Sequence, residues 1–293
     1  MIDLHLHTTA SDGTLDPGAL VERAHGAGVR TLAVTDHDTM AGVAAAADVA
    51  AALKLEFLPG IEITAVVDGR DIHILAYFLD PTPQGLESFL KAQREDRVER
   101  ARGMADRLKT LGVPIEIEPT IEHANAEGRS VARPLLARAL VQAGHARTEQ
   151  DAFNRWVGDS GPAYVPRKGS SPADVVRLVS RAGGISSVAH PGLLWRDELI
   201  PSLAKAGLTA LEVYHPEHDT VAQARYARLA TQHELATSGG SDFHGDGHRR
   251  AKSLGSVGLP RQAFMLLLQR LLLSHSVVHG ADGGDGGDGG TDG

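Results

Sequence analysis

The chain has no cysteine among its 293 residues. That absence removes disulfides, thiolate zinc sites, iron–sulfur clusters and cysteine nucleophiles together, so any bound metal must sit on nitrogen and oxygen. Aromatic residues make up only 4%, which argues against an extended groove that stacks the bases of a nucleic acid. A long apolar run is also missing. The most apolar stretch, 41–55, is alanine-rich and carries Asp48 and Lys54, and it falls short of the roughly 20 residues a bilayer span needs. No basic segment leading into an apolar run opens the chain, so the expectation is a cytoplasmic protein with no membrane partner. Excess positive charge is lacking as well: the formal net charge is −8, with Asp282, Asp285, Asp288 and Asp292 contributing to it. Bulk electrostatic attraction to nucleic acid is therefore not expected. The remaining composition, 42% hydrophobic and 23% charged, is that of an ordinary globular protein.

What the chain has in excess is histidine, at 15 residues. Short strand-like runs alternate with longer helical patterns, which predicts βα units around a parallel sheet. The strands expected are 2–7, 31–35, 56–66, 71–78, 185–190, 210–214 and 235–238, close to the complement of a barrel. Asp68-Gly69 between the third and fourth predicts an antiparallel hairpin rather than a crossover. The fold class expected is thus α/β, a distorted seven-stranded β/α barrel. From about 83 to 169 the strand rhythm stops and helices are expected at 86–111, 131–143 and 148–157. This divides the chain into a discontinuous barrel, 1–82 and 170–279, and a helical insertion, 83–169, that would overhang the strands' C-terminal face as a lid. Residues 280–293 form a Gly/Asp tail with nothing to bury, expected to be disordered.

In Ile2-Asp3-Leu4-His5-Leu6-His7 polar and apolar residues alternate, so Asp3, His5 and His7 share one strand face. Thr35-Asp36-His37-Asp38, Gly60-Ile61-Glu62, Asp71-Ile72-His73, Ala189-His190-Pro191 and Ser241-Asp242-Phe243-His244 each follow or interrupt an apolar run. In a barrel such positions converge on one mouth. The histidines at 5, 7, 37, 73, 190 and 244, with Asp12, Glu62 and Asp242, offer more ligands than the about four to six positions of one ion. Two or three divalent ions are expected, and nitrogen with carboxylate oxygen suits manganese, iron or zinc. Clustered divalent ions are an apparatus for displacement at phosphorus, so phosphoester hydrolysis is the reaction expected. His25, His123, His145, His233, His275 and His279 fall on helices and loops and are read as structural or surface residues.

The motifs D-L-H-L-H-T, T-D-H-D, P-G-I-E, A-H-P and S-D-F-H together resemble the PHP (polymerase and histidinol phosphatase) family, from Ile2 to about Leu259. The chain is most similar to the family's nucleotide phosphatases, whose helical insertion also falls between the fourth and fifth strands. The resemblance implies a metal-dependent phosphoric ester hydrolase with up to three ions. It implies one ion on His5, His7, Glu62 and Asp242, a second on the bridging Glu62 with His73 and His190, and a third on Asp12, His37 and His244. A metal-bound hydroxide held by Glu62, Asp242 and His190 would attack phosphorus in line. Asp36 or Asp38 could orient an imidazole or serve only as caps. His215 is a further candidate for contact with substrate or protonation of the leaving oxygen, and His218 a weaker one.

Arg129, Arg133, Arg167 and Lys168 bracket the apolar part of the insertion and are the substrate-binding candidates, since phosphate suits the guanidinium fork. Arg94, Arg97, Arg100 and Arg102, interleaved with Glu95, Asp96 and Glu99, read instead as the solvated face of a helix. The expected substrate is a small phosphorylated nucleotide of the nucleoside 3′,5′-bisphosphate type, and no stable protein partner is implied. The alternatives are a 5′-to-3′ exonuclease on short RNA, a histidinol phosphatase, and a non-catalytic metal-stabilised PHP module. Loss of ligands would mark the last, and every ligand position here is filled.

Overall fold

The computed structural model describes residues 1–194 and 196–279; the tail expected at 280–293 lies outside the described residues. Seven strands follow one another in sheet order as in sequence: β1 (Ile2–Asp3), β2 (Thr31–Val34), β3 (Glu56–Val67), β4 (Arg70–Tyr77), β5 (Ile185–Val188), β6 (Ala210–Tyr214) and β7 (Ala236–Gly239). All neighbouring pairs are parallel except β3–β4 and β4–β5, so β4 is the one reversed strand. The hairpin expected at Asp68-Gly69 is present, with Val67 opposite Arg70. The sheet curls until its ends meet. Leu4 N–H donates to Gly239 O at 3.1 Å and His7 N–H to Phe243 O at 3.0 Å, giving a nearly closed barrel.

β1 is shorter than the alternation predicts. Beyond Asp3 the chain keeps an extended course and is joined by the Leu6–Phe243 bridge and by single bonds to Thr35, to Gly239 and to the segment after β7. The alternation itself survives, because Leu4 and Leu6 are fully buried on the side away from His5 and His7.

The barrel helices are α1 (Pro17–Gly26) and α2 (Val43–Ala52), and the insertion supplies α3 (Glu87–Thr110), α4 (Glu118–Ala126), α5 (Arg133–Gln142) and α6 (Glu149–Ala152). After it come α7 (Pro172–Arg181), α8 (Pro191–Leu194), α9 (Ile200–Lys205), α10 (Thr220–Gln232) and α11 (Arg261–His279). Caps fix several starts: the Asp16, Ser171 and Asp219 side chains accept from the backbone N–H three residues on, twice with proline at the first helical position. α7 lays Val175, Val176 and Val179 against Ile61, Ile63 and Ile74 of the hairpin. The insertion has a core of its own, in which Met104, Leu108, Ile121, Leu136, Leu140 and Val157 are buried together. Its last element differs from the single helix expected at 148–157, because α6 ends at Ala152 and a π-helical turn, Phe153–Val157, follows.

The charged helix α3 corrects a second expectation. Arg97 and Arg100 are buried rather than solvated. Arg97 donates to Asp38 Oδ2 (2.6 Å), Thr64 Oγ1 (2.8 Å) and Val131 O (3.2 Å), and Arg100 to Val165 O (2.8 Å). Interleaved charge suggested a solvated face, but Asp38 and Thr64 of the barrel and the carbonyls of Val131 and Val165 in the insertion receive these two side chains. Arg102 keeps the expected surface pairing, with Glu118.

Candidate metal centre

His5 and His7 are fully buried, with ring centres 5.1 Å apart. Asp3, on the same face, takes a different role: its Oδ1 accepts from Ser241 N–H at 2.9 Å and so clips the segment after β7 to the first strand. Burial, only partly offset by Ser241 and His5, raises the Asp3 carboxyl to about 6. The two segments lie so close that a Cβ on Gly240 would sit 2.4 Å from His5 N, so only glycine fits there. This approach carries Asp242 and His244 to the histidines of the first strand.

Asp242 Oδ1 lies 3.5 Å from His5 Nε2 and 3.3 Å from His7 Nε2. Glu62, central in β3, turns Oε2 to His5 (3.3 Å), His7 (3.2 Å) and His37 (3.3 Å), and Oε1 to His73 (2.9 Å) and His190 (3.2 Å). Asp12 faces His244 at 3.4 Å, His7 at 3.7 Å and His37 at 3.8 Å. Every ligand position named from the sequence is therefore in one cluster. Three of its groups, His5–His7–Asp242, His7–Asp12–His37–His244 and His37–Glu62–His73, have ligand atoms within 4.8 Å of one another. The partition is less tidy than the resemblance implies, since His37 faces both Asp12 and Glu62.

The donor set fits divalent cations on two grounds. Buried ring nitrogens of His7, His37 and His73 that face the carboxylates have no hydrogen-bond partner, a costly arrangement unless something else accepts their lone pairs. The spacing of about 3.2–3.5 Å for most pairs is also what bonds of about 2.0–2.2 Å to a shared ion would require. The carboxylates are held in their ionised form. Burial opposes ionisation of Glu62, but His37, His73 and His5 outweigh it and hold the carboxyl well below its usual range; Asp12 and Asp242 are held down in the same way by His244, His37 and His5. Ionised carboxylates are the form that binds metal.

Behind the cluster stands Glu212, absent from the sequence reading. Its Oε1 lies 2.9 Å from His5 Nδ1 and its Oε2 accepts from His190 N–H at 2.6 Å. A carboxylate on the far nitrogen of a ligating imidazole fixes ring and tautomer. The signal was in the sequence, for Glu212 is the lone charge in the apolar strand Ala-Leu-Glu-Val-Tyr. Asp36 and Asp38 contact no imidazole. Asp36 accepts from Thr8 N–H and the hydroxyls of Thr8 and Ser11, and Asp38 from Thr64 N–H and Arg97. Asp38, His190 and Asp242 all have positive φ, 52°, 29° and 49°, an unfavourable conformation that tends to persist where the surroundings enforce it.

His215 accepts Glu217 N–H on Nδ1, which leaves the Nε2 proton for Asp242 Oδ2 at 3.2 Å. Arg250 also bonds Asp242 Oδ2 and pairs with Glu217. His218 is spoken for within the scaffold. Its Nδ1–H donates to Val213 O and its Nε2 accepts from Gly192 N–H, and burial lowers its pKa, so it stays neutral.

A cleft of about 830 Å³ opens beside the cluster. Asp12, Thr14, His244, His248, Arg249 and Arg250 form one wall, and Pro134, Arg138, Thr148 and Phe153 of the insertion are on the other. Of the substrate-binding candidates, Arg133 and Arg167 line a separate hollow with Arg97 and Arg100, large enough for about one water at roughly 20 Å³. Arg167 is buried between Asp38 and Asp71, and Arg133 pairs with Asp159. Arg129 lies on Glu127, and Lys168 borders an open depression with Phe89, Gln93 and Asp96. The sequence reading missed Arg138, His248, Arg250 and Phe153. His248 and Arg250 sit just beyond Ser241–His244 and could have been found by following that motif; nothing in the sequence distinguishes Arg138.

The PHP domain family model matches residues 3–127. The chain is 37% identical over 249 residues to the 5′-3′ exoribonuclease Rnm of Escherichia coli strain K12, covering 83% of this chain and 84% of the relative. It is 34% identical over 251 residues to the 3′,5′-nucleoside bisphosphate phosphatase of Chromobacterium violaceum, covering 84% and 88%. Among solved structures, a protein of Bifidobacterium adolescentis assigned as a metal-dependent phosphoesterase superposes with a TM-score of 0.83 at 34% identity, covering 92% of this chain and 95% of that one.

Proposed function

The chain belongs to the PHP family of metal-dependent phosphoesterases, and from that premise we propose that it removes the 3′-phosphate of a nucleoside 3′,5′-bisphosphate by hydrolysis. The observation that carries this reading is Glu62, one buried carboxylate shared by five imidazoles beside an open cleft. In it His5, His7, Glu62 and Asp242 hold one ion, Glu62, His73 and His190 a second, and Asp12, His37 and His244 a third. Such ions lower the pKa of water to roughly 7 and neutralise phosphoryl oxygens. Glu212 holds the His5 ring, while His215 and Arg250 orient Asp242. Residues 83–169 act as a roof, from which Arg138, opposite Arg249 on the rim, supplies charge for phosphate, while Arg133 is paired with Asp159. Arg167, committed to Asp38 and Asp71, holds the joint beneath that roof.

A second reading, hydrolysis of short RNA from its 5′ end, draws support from the size of the cleft. At about 830 Å³ it lies near the top of the range of about 300–1,000 Å³ for small-molecule sites, which leaves room for more than one nucleotide. The experiment that separates the two combines metal analysis of the purified protein with phosphate release from mononucleotides, bisphosphonucleotides and short RNAs. Preference for bisphosphonucleotides is expected; progressive shortening of RNA would replace the first reading with the second, and inactivity on all of them would overturn both.

A further inference from the structure

We infer that Phe153 is the platform on which the substrate's base stacks, and so sets this chain's preference for nucleotides over other phosphate esters; the inference rests on the phosphoesterase reading above. Phe153 borders the same cleft as the candidate ligands Asp12 and His244. Among the described residues that line this cleft it is the one phenyl, phenol or indole ring. In a chain with so few aromatics, that position marks it out.

The local backbone is built around this residue. Phe153 opens the π-helical turn, whose closing bond runs from Gly158 N–H to Phe153 O at 2.9 Å. A Cβ on Gly158 would meet that same oxygen at 2.5 Å, so glycine is needed to close the turn. A π turn interrupts the ordinary helical phase and recurs at functional sites. The ring is half-buried, and the Arg133 guanidinium lies 6.0 Å from its centre. A half-buried ring that borders open space can offer a face to a second flat partner. Every base presents a π-face, so such a platform accepts purines and pyrimidines alike. A purely structural role, packing on the insertion's own core, makes a different prediction.

The test compares adenosine 3′,5′-bisphosphate with the same sugar bisphosphate lacking the base, on the full-length metal-loaded protein and its F153L and F153W variants. The quantity read is the ratio of kcat/KM for the two compounds. We expect the ratio to favour the nucleotide in the original protein, to fall about tenfold in F153L through KM, and to persist in F153W. A ratio unchanged in F153L, or a loss shared equally by both compounds, overturns the inference and leaves Phe153 a packing residue. Equilibrium dialysis of both compounds on the same proteins after removal of metal by chelation reads the contribution of the base without turnover. Binding that prefers the nucleotide and loses that preference in F153L, without hydrolysis of either compound by the metal-loaded protein, would overturn the phosphatase reading and keep the platform. Binding without preference would overturn the platform alone.

Discussion

Glu62 touches His5, His7 and His37 with one oxygen and His73 and His190 with the other, so its loss should be felt at more than one ion. Glu62→Gln is expected to lower kcat by about 10³-fold or more, in line with loss of a central electrostatic group, and to lower the metal bound per chain. Phosphate release and elemental analysis of the same preparation check this; undiminished activity would contradict the shared role. Glu212→Gln keeps the shape but removes the charge behind His5, and about 10–100-fold weaker metal binding is expected, measured by competition with a chelator of known affinity. The ligands were legible because histidine and carboxylate stand out against apolar strands, and because strand ends in a barrel converge. Arg138 and Phe153 were not, since an arginine or a phenylalanine on a helix has the same appearance whether it faces a core, water or a substrate.

At the scale of elements, the joint between α3 and the barrel rim rests on Asp38. Burial opposes its charge, but Arg97 and Arg167 outweigh that and hold the carboxyl down to about 2. A carboxyl depressed in the folded state adds stability that is present above its unfolded value, near 4, and is lost as pH falls through about 2. The size is about 2 kcal/mol. Asp38→Asn tolerates the left-handed backbone but strands two buried guanidinium groups, at a cost of about 3 kcal/mol. Thermal melts of both proteins should show a gap that is widest at neutral pH and narrows as the solution is acidified toward pH 2. A gap independent of pH would mean that the charge is not what matters. The start and end of α3 were readable from its sequence. Its burial was not, because partners such as Asp38, Thr64 and Val131 come from distant segments.

Across the whole molecule, candidate ligands come from β3 and β4 and from the segments that follow β1, β2, β5 and β7, so ions bound there would tie the barrel together. Binding to the folded state alone stabilises it by about 2.7 kcal/mol at a hundredfold excess over Kd. For a protein of this size that corresponds to a rise in Tm of roughly 4–5 °C. Melts with a chelator and with added manganese or zinc check this, and identical curves would argue that the ligands do not meet a metal. The alternation of strand and helix patterns made the barrel readable, and the turn dipeptide Asp68-Gly69 between two strand patterns favoured a hairpin over a crossover there. The closure of the barrel was harder to foresee, since it depends on single backbone bonds and on the bare backbone of Gly240.

That closure has a consequence for how the protein comes into being. His5 and His7 leave the ribosome long before Asp242 and His244, which join them only after β7 has been synthesised and has docked beside β1. While the intervening segments are made the nascent polypeptide therefore carries an unfinished ring, and its cations can be captured in full only once the segment after β7 has emerged.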